Sequence, residues 1–213
     1  EEVRYHVAGS LIDVSSDQLI PNRKLAAPRL SLVASNDAVR IGGPGRIDGV
    51  NFDAEWTQPI GKGRAGQSSL LGTLELSERT LDTFNIALPP GSVRGRGQAS
   101  IEIDLKKGQA PRFALQSNLR GVRINVDPVG WSKPAEVAGS LSLAGALGAV
   151  PQVDSLKLDA PGLNAEGSIR LQQGGGLERV RFNRLSVGGW LDAPVDLVGR
   201  GAGVPPRVVV REG

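Results

Sequence analysis

Apolar residues recur at every second position in segment after segment of this chain, and helical i, i+3, i+4 stripes are almost absent. Leu70, Leu74 and Leu76 share one parity, with Gly72 between them. So do Ile101, Ile103 and Leu105, then Val122, Ile124 and Val126, then Val137, Leu141 and Leu143, then Leu163, Ala165, Ile169 and Leu171. The intervening positions carry Glu75, Glu102, Asp104, Arg123, Asn125, Ser142, Asn164, Glu166 and Arg170. A strand sends successive side chains to opposite faces, so each segment reads as a strand with one apolar and one solvated side. The links are short and no crossover helix is visible, which implies antiparallel pairing. The reading is all-β, with roughly a dozen strands. The best non-strand candidates are Ser15 to Ala26, where Pro21 interrupts any helix, and Asp127 to Ala135, a loop bracketed by Pro128 and Pro134.

A degenerate repeat underlies the alternation. LSLVASNDAVRIGGPGRI from Leu30, FNIALPPGSVRGRGQASIEI from Phe84 and LKLDAPGLNAEGSIRL from Leu156 each begin with alternating apolar residues. Each turns through a Pro-, Gly- or Asn-containing break and resumes as a glycine-softened strand. The unit is a hairpin, and its glycines suggest bulges that curve the sheet.

Composition removes several classes of function. Cysteine is absent, so no disulfide framework or thiolate metal site can form. Lys plus Arg is 25 against 22 Asp plus Glu, interspersed, so the net charge of +3 is no basic tract and nucleic acid is not expected as a partner. Aromatic residues are only 4%, so an apolar face must be built from aliphatic side chains. The chain starts Glu1-Glu2-Val3, with no apolar run of membrane length, and reads as a piece of a longer protein or a mature product.

Groups able to do chemistry are sparse. His6 is the single histidine and lies on the solvated parity of Val3-x-Tyr5-x-Val7, so a Ser-His-Asp triad or histidine metal site lacks partners. Asp48, Asp53 and Glu55 fall on solvated strand faces, and no carboxylate pair sits in an apolar setting that would split two pKa values. Asp13, Asp17 and Asp37 miss the spacing of a calcium loop. GKGRAGQSS from Gly61, with Lys62 and Arg64, lacks the order of a phosphate loop and leads into a strand, so it reads as a hairpin loop. Arg94-Gly95-Arg96-Gly97 lacks aromatic stacking partners for RNA. Trp56, Trp131 and Trp190 each lie near a turn signal, where an indole closes the end of an apolar layer and its N–H finds a carbonyl. No enzyme, cofactor or metal is expected.

The string VGWSKP, Val129 to Pro134, preceded by FALQSNLRGVRINVDP and followed by AEVAGSLSLAG, resembles the central region of the AsmA-like superfamily in its YhdP-like branch. LSVGGWLDAPVDLVGRGAGVPP, Leu185 to Pro206, looks like the next repeat of the same family; Val129 stands where the family usually has leucine. Gly130, Trp131, Lys133 and Pro134 would then be a turn and packing signature. The resemblance implies a curled, elongated antiparallel sheet, open along one side like a folded taco. It also implies phospholipid carriage between the two membranes of a diderm bacterium, with a periplasmic location and an inner-membrane anchor supplied by an N-terminal helix not present here. On this reading residues 1–213 are one groove segment, 1–28 its leading strands and loop, 29–134 and 135–213 successive hairpin repeats, and the rest of the long chain its partner.

The groove would be lined by Leu74, Leu76, Phe84, Ile86, Ile101, Ile103, Leu105, Val122, Ile124, Leu141, Leu143, Leu156, Leu158, Ile169 and Leu171, with phospholipid acyl chains as ligand. The same alternation also fits a closed β-sandwich, a structural or adhesive module of the envelope, whose two apolar faces bury each other. The lack of a nucleophile constellation predicts that alanine at His6, Asp53 or Lys62 leaves cellular function intact. A chemical activity lost on any one of these substitutions would overturn that reading.

Overall fold

The computed structural model describes residues 4–20, 22–61, 63–86, 88–174, 176–201 and 204–211. Val3, Pro21 and Lys62, used in the reading above, lie outside them. The chain is all-β: β1 (His6–Ile20), β2 (Arg23–Ser35), β3 (Ala38–Ile47), β4 (Val50–Pro59), β5 (Gln67–Ser77), β6 (Val93–Lys106), β7 (Arg112–Ser117), β8 (Val122–Val126), β9 (Trp131–Lys133), β10 (Ser140–Ala146), β11 (Gln152–Ala160), β12 (Leu163–Leu171), β13 (Leu177–Val187), β14 (Leu191–Val198) and β15 (Arg207–Val210). Helix α1 (Glu78–Thr83) and a 3-10 turn (Asp127–Val129) complete the described elements. Adjacent strands pair antiparallel, and β1 and β15 have one neighbour each, so the sheet is open.

The chain divides into two compact units. The first is Glu1–Leu74 with Ser100–Pro111, and the second is Glu75–Ala99 with Arg112–Gly213. In the first unit the turn residues set the hairpins. Asp48 and Gly49 both take positive φ, 46° and 87°, the backbone of a two-residue type I′ turn joining β3 to β4. Asp48 is therefore a turn residue and not a strand-face charge; its carboxylate accepts the Lys24 N–H at 3.0 Å. With register fixed, Gly9, Leu32, Ile41, Trp56 and Leu70 stand opposite one another across β1 to β5. Phe52 pairs with Leu74 one step along. Arg40 and Glu55 lie on the other side and meet at 3.9 Å.

In the second unit the order is β7-β10-β11-β12-β13-β14-β15. One cross-strand row reads Leu115, Leu143, Leu156, Gly167, Phe182, Val195 and Val210. The row beside it reads Ser117, Leu141, Leu158, Ala165, Leu185 and Ala193. A third holds Phe113, Gly145, Val153, Ile169, Val180, Leu197 and Val208. Opposite parity carries the charges, with Lys157–Glu166 at 3.8 Å and Arg184–Asp192 at 2.8 Å. Asp196, largely buried there, is shared by Arg179, Arg181 and Arg211 at 3.8, 3.9 and 3.0 Å.

Bulges fall at neighbouring levels of successive strands, at Ala144/Gly145, Val153/Leu156, Glu166/Gly167 and Phe182/Leu185. A bulge bends its strand and steepens its twist, so together they crease this part of the sheet. Glycine permits the crease: a Cβ on Gly145 or Gly167 would collide with the carbonyl oxygen of Gln152 or Arg181.

Several sequence expectations change. Ser15 to Ala26 is strand almost throughout, because β1 and β2 stay paired as far as Ile20 opposite Arg23, with Asn22 at φ 59° in the turn. Ladder hydrogen bonds outweigh the local irregularity. Asp127 to Ala135 contains the 3-10 turn and β9 and is not a plain loop. The repeat beginning at Phe84 forms no hairpin. Ser77 caps α1, its N–H bonding Thr80 Oγ1 at 3.2 Å, and Phe84 is the C-cap residue. Ile86 follows in the loop, its N–H donating to Leu81 O at 2.8 Å. Neither Phe84 nor Ile86 therefore lies on a strand face. Val137 precedes β10.

Gly167→Ala is expected to lower stability by about 1–3 kcal/mol, because the new methyl group must displace the β13 backbone. The urea unfolding midpoint measures it, and an unchanged midpoint would contradict the crease.

Candidate functional site: an apolar face covered at one end

The aliphatic face of β7 and β10–β15 is the feature that most resembles a binding surface, and its two ends differ in cover. At one end Ala160, Leu163, Ala165, Leu185, Val187 and Val195 form a buried cluster with Trp131. Ile124, Val126 and Val129 pack on it. These last residues do not come from the main ladder: β8 pairs with the start of β6 and with β9, through Val93 opposite Ile124 and Val126 opposite Trp131. Val122 and Ile124 thus belong to a small second layer, whereas Leu141, Leu143, Leu156, Leu158, Ile169 and Leu171 share the main face. The reason is topological, since β8 bonds neither β7 nor β10. Away from Trp131, Leu115, Leu143, Ile169, Leu171 and Leu177 are half-buried, and Val208 and Val210 on β15 are 44% and 59% exposed.

In the first unit, Leu74 is buried beside Phe52. Ile101, Ile103 and Leu105 on β6 are half-buried between exposed Glu102, Asp104 and Lys106. Leu76, which belongs to the second unit, has the parity of Leu74 on β5 and is half-buried.

Total area supports an under-covered fold. The solvent-accessible surface is 13128 Å², whereas a compact protein of 22.3 kDa exposes about 9,400 Å² and two separate compact halves about 11,300 Å² together.

The Gly-Trp-x-Lys-Pro segment builds the cover. Gly130, at φ 63°, ends the 3-10 turn and aims Trp131 down. The indole fills the cluster while its Nε1–H donates to Pro161 O at 2.9 Å, across the Pro161-Gly162 turn of β11 and β12. Two residues on, Lys133 points to the same side and is 2% exposed. Its ammonium donates to the carbonyls of Leu119, Pro134 and Val137 at 2.9, 2.9 and 2.7 Å. An ammonium has three N–H donors, so each has an acceptor, and one side chain ties together the loops before β8 and after β9. Burial pushes the Lys133 pKa below its ordinary 10.5, and Glu136 draws it partly back. Spacing alone marks Lys133 as polar on a short strand; the signal for its burial is the convergence of loop carbonyls, which only the fold supplies. Trp131 closes an apolar layer as expected, but Trp56 lies within β4 opposite Ile41 and Leu70, and Trp190 is exposed in a turn.

Chemistry-bearing groups do not converge. His6 on β1 and Asp53 and Glu55 on β4 are all exposed, and no cluster of three or more metal-ligating side chains occurs among the described residues. No helix among them is long and apolar enough to cross a membrane. The site defines an open-sheet β protein with an aliphatic face. No family model, curated protein or solved structure matches the chain.

Lys133→Met is expected to lower stability by about 2–4 kcal/mol, since the buried Leu119 carbonyl and the part-buried Pro134 and Val137 carbonyls lose their shared donor. The lowered pKa also carries a sign. Between that value and 10.5 the unfolded chain holds more protons than the folded one, so this residue makes stability rise with pH across the window. Denaturant titrations across alkaline pH should show this contribution in the wild type and not in Lys133→Met; equal slopes would contradict it.

Proposed function

We propose that this chain is a non-enzymatic segment of a hydrophobic-groove protein and that its aliphatic face holds phospholipid acyl chains. The observation that carries the reading is the row Leu115, Leu143, Leu156, Gly167, Phe182, Val195 and Val210, continuous across seven strands; Leu156, Phe182 and Val195 join the Trp131 cluster, while Leu115 and Leu143 are half-buried and Val210 is exposed. A saturated chain lying on such a row gains about 0.8 kcal/mol for each methylene removed from water. It needs no polar anchor, which accords with a face that offers none. The resemblance of Val129–Pro134 and its flanks to the AsmA-like, YhdP-like family extends the reading to lipid passage between the membranes of a diderm bacterium. On that reading the protein is periplasmic, its inner-membrane anchor lies elsewhere in a longer chain, and that chain's remaining segments prolong the groove.

One observation favours a second reading, a structural or adhesive β-sandwich: the β8–β9 layer over Ala160, Leu163, Leu185 and Val187 is a sandwich core in miniature. The two readings assign different costs to a charge on the face. On an uncovered face an added carboxylate stays hydrated, while under a second layer it is buried and unpaired at a cost of several kcal/mol.

Leu143→Asp should therefore melt close to the wild type yet lose photo-crosslinking to a phospholipid bearing a diazirine on its acyl chain. Leu185→Asp, beneath Trp131, should unfold. Ile103→Asp repeats the Leu143 test on β6. Collapse of the Leu143 and Ile103 variants, with no lipid adduct on the unmodified protein, would return the decision to the sandwich.

A further inference from the structure

On its outer side the β6–β8 ladder concentrates positive charge that forms no ion pair among the described residues; the nearest carboxylate on the chain, Asp127, accepts from the Asn125 side chain at 2.6 Å. Arg94 and Arg123 are direct cross-strand partners, which places their Cβ atoms about 5 Å apart and sets like charges side by side, a destabilising arrangement. Arg96 on β6 and Arg120 in the turn before β8 lie just past the end of this ladder, where Gly97 and Gly121 approach the Arg120 and Arg96 carbonyls. All four side chains are exposed, and none of the ion pairs among the described residues includes any of them. Several outer charges elsewhere are matched, as in Arg112–Asp154 at 3.1 Å and Arg184–Asp192 at 2.8 Å. Even the arginine trio at 179, 181 and 211 shares Asp196.

This pair also lines a depression. Arg94, Arg123 and Asn125 surround a hollow of about 230 Å³ with Pro90 and Gly91. Its wall is tied down: the Asn125 N–H donates to Ser92 O at 2.8 Å and the Ser92 N–H to Pro89 O at 3.1 Å. The Arg94 guanidinium lies along Gly91, 3.4 Å from where a Cβ would stand. We propose that this hollow is an anion site for a phosphate group, as a free ion or as the phosphoester of a lipid headgroup. Two adjacent guanidiniums present two planar donor forks and a charge of +2. A carboxylate engages one fork, whereas a tetrahedral phosphate has oxygens for both. The site is distinct from the aliphatic face: Val93, Val122 and Ile124 have the opposite parity on the same strands, so the proposal stands whether or not that face holds lipid.

The test uses the full chain as wild type, Arg94→Gln/Arg123→Gln, and Arg170→Gln. The last removes another exposed arginine with an arginine, Arg179, as its cross-strand partner. Melting is followed in phosphate and in chloride at equal ionic strength, and binding to phosphatidylglycerol and phosphatidylcholine vesicles is measured by sedimentation. A phosphate-dependent rise in midpoint for wild type and Arg170→Gln, with affinity roughly tenfold or more weaker in the double variant, supports the site and a free-ion ligand. Vesicle binding lost in the double variant alone, without a phosphate response, supports the site and assigns it to a headgroup. Equal responses from all three proteins, or none to either probe, overturn the proposal. So does a double variant that melts well below the wild type in chloride, since removing an uncompensated like-charge pair should not destabilise.

Discussion

The antiparallel hydrogen-bond ladder is the constraint on which everything else rests. Its register sets side chains directly opposite one another, and its period of two keeps each strand's alternate residues on one side. Once Leu143 stands opposite both Leu115 and Leu156, every apolar residue two positions away is committed to the same face. A slip of one residue would turn Lys157, Glu166 and Arg184 onto that face and the leucines into water. The outer ion pairs Lys157–Glu166 and Arg184–Asp192 match the same register from the other side. Arg184's hydrogen bond holds the Asp192 carboxyl below its ordinary range.

A ladder of this kind makes a face but does not cover it. In the second unit the cover is local and depends on three features in sequence: Gly130 turns, Trp131 fills, and Lys133 locks the flanking loops through their carbonyls. Burying an ammonium is costly unless each proton finds an acceptor, so Lys133 can occupy this place only if the Leu119, Pro134 and Val137 carbonyls converge on it. That requirement couples the geometry of the cover to the loops on both sides.

Much of the architecture was legible because the period-two signal is strong and local. The segments around Leu141 and Ile169 have the expected parity, and the Pro161-Gly162 turn carries its own chemistry, whereas Asp48, read as a strand-face charge, is a turn residue. What could not be read depends on non-local partners. Pairing of β1 with β2 carried strand through Ser15 to Ala26 despite its irregular pattern. A short cap at Ser77–Thr80 drew Phe84 into a helix end. Parity alone could not reveal that Val122 and Ile124 stand on a separate layer, because alternation fixes which side of a strand a residue faces but not which strand lies beside it. Lys133 was singled out by resemblance, and its role emerged only from the three carbonyls around it. Arg94 and Arg96 were set aside for RNA for want of aromatic neighbours, Arg123 was read only as a solvated-face residue, and nothing local showed Arg94 and Arg123 to be opposite each other.

The central claim is that the aliphatic face remains open enough to hold an acyl chain. Native mass spectrometry of the protein purified from membranes in mild detergent tests it most directly. The account predicts a population carrying an added mass equal to a diacyl phospholipid, released on collisional activation and diminished in Leu143→Asp. A protein that stays bare under conditions preserving its fold, or one whose adduct is unaffected by Leu143→Asp, would contradict it.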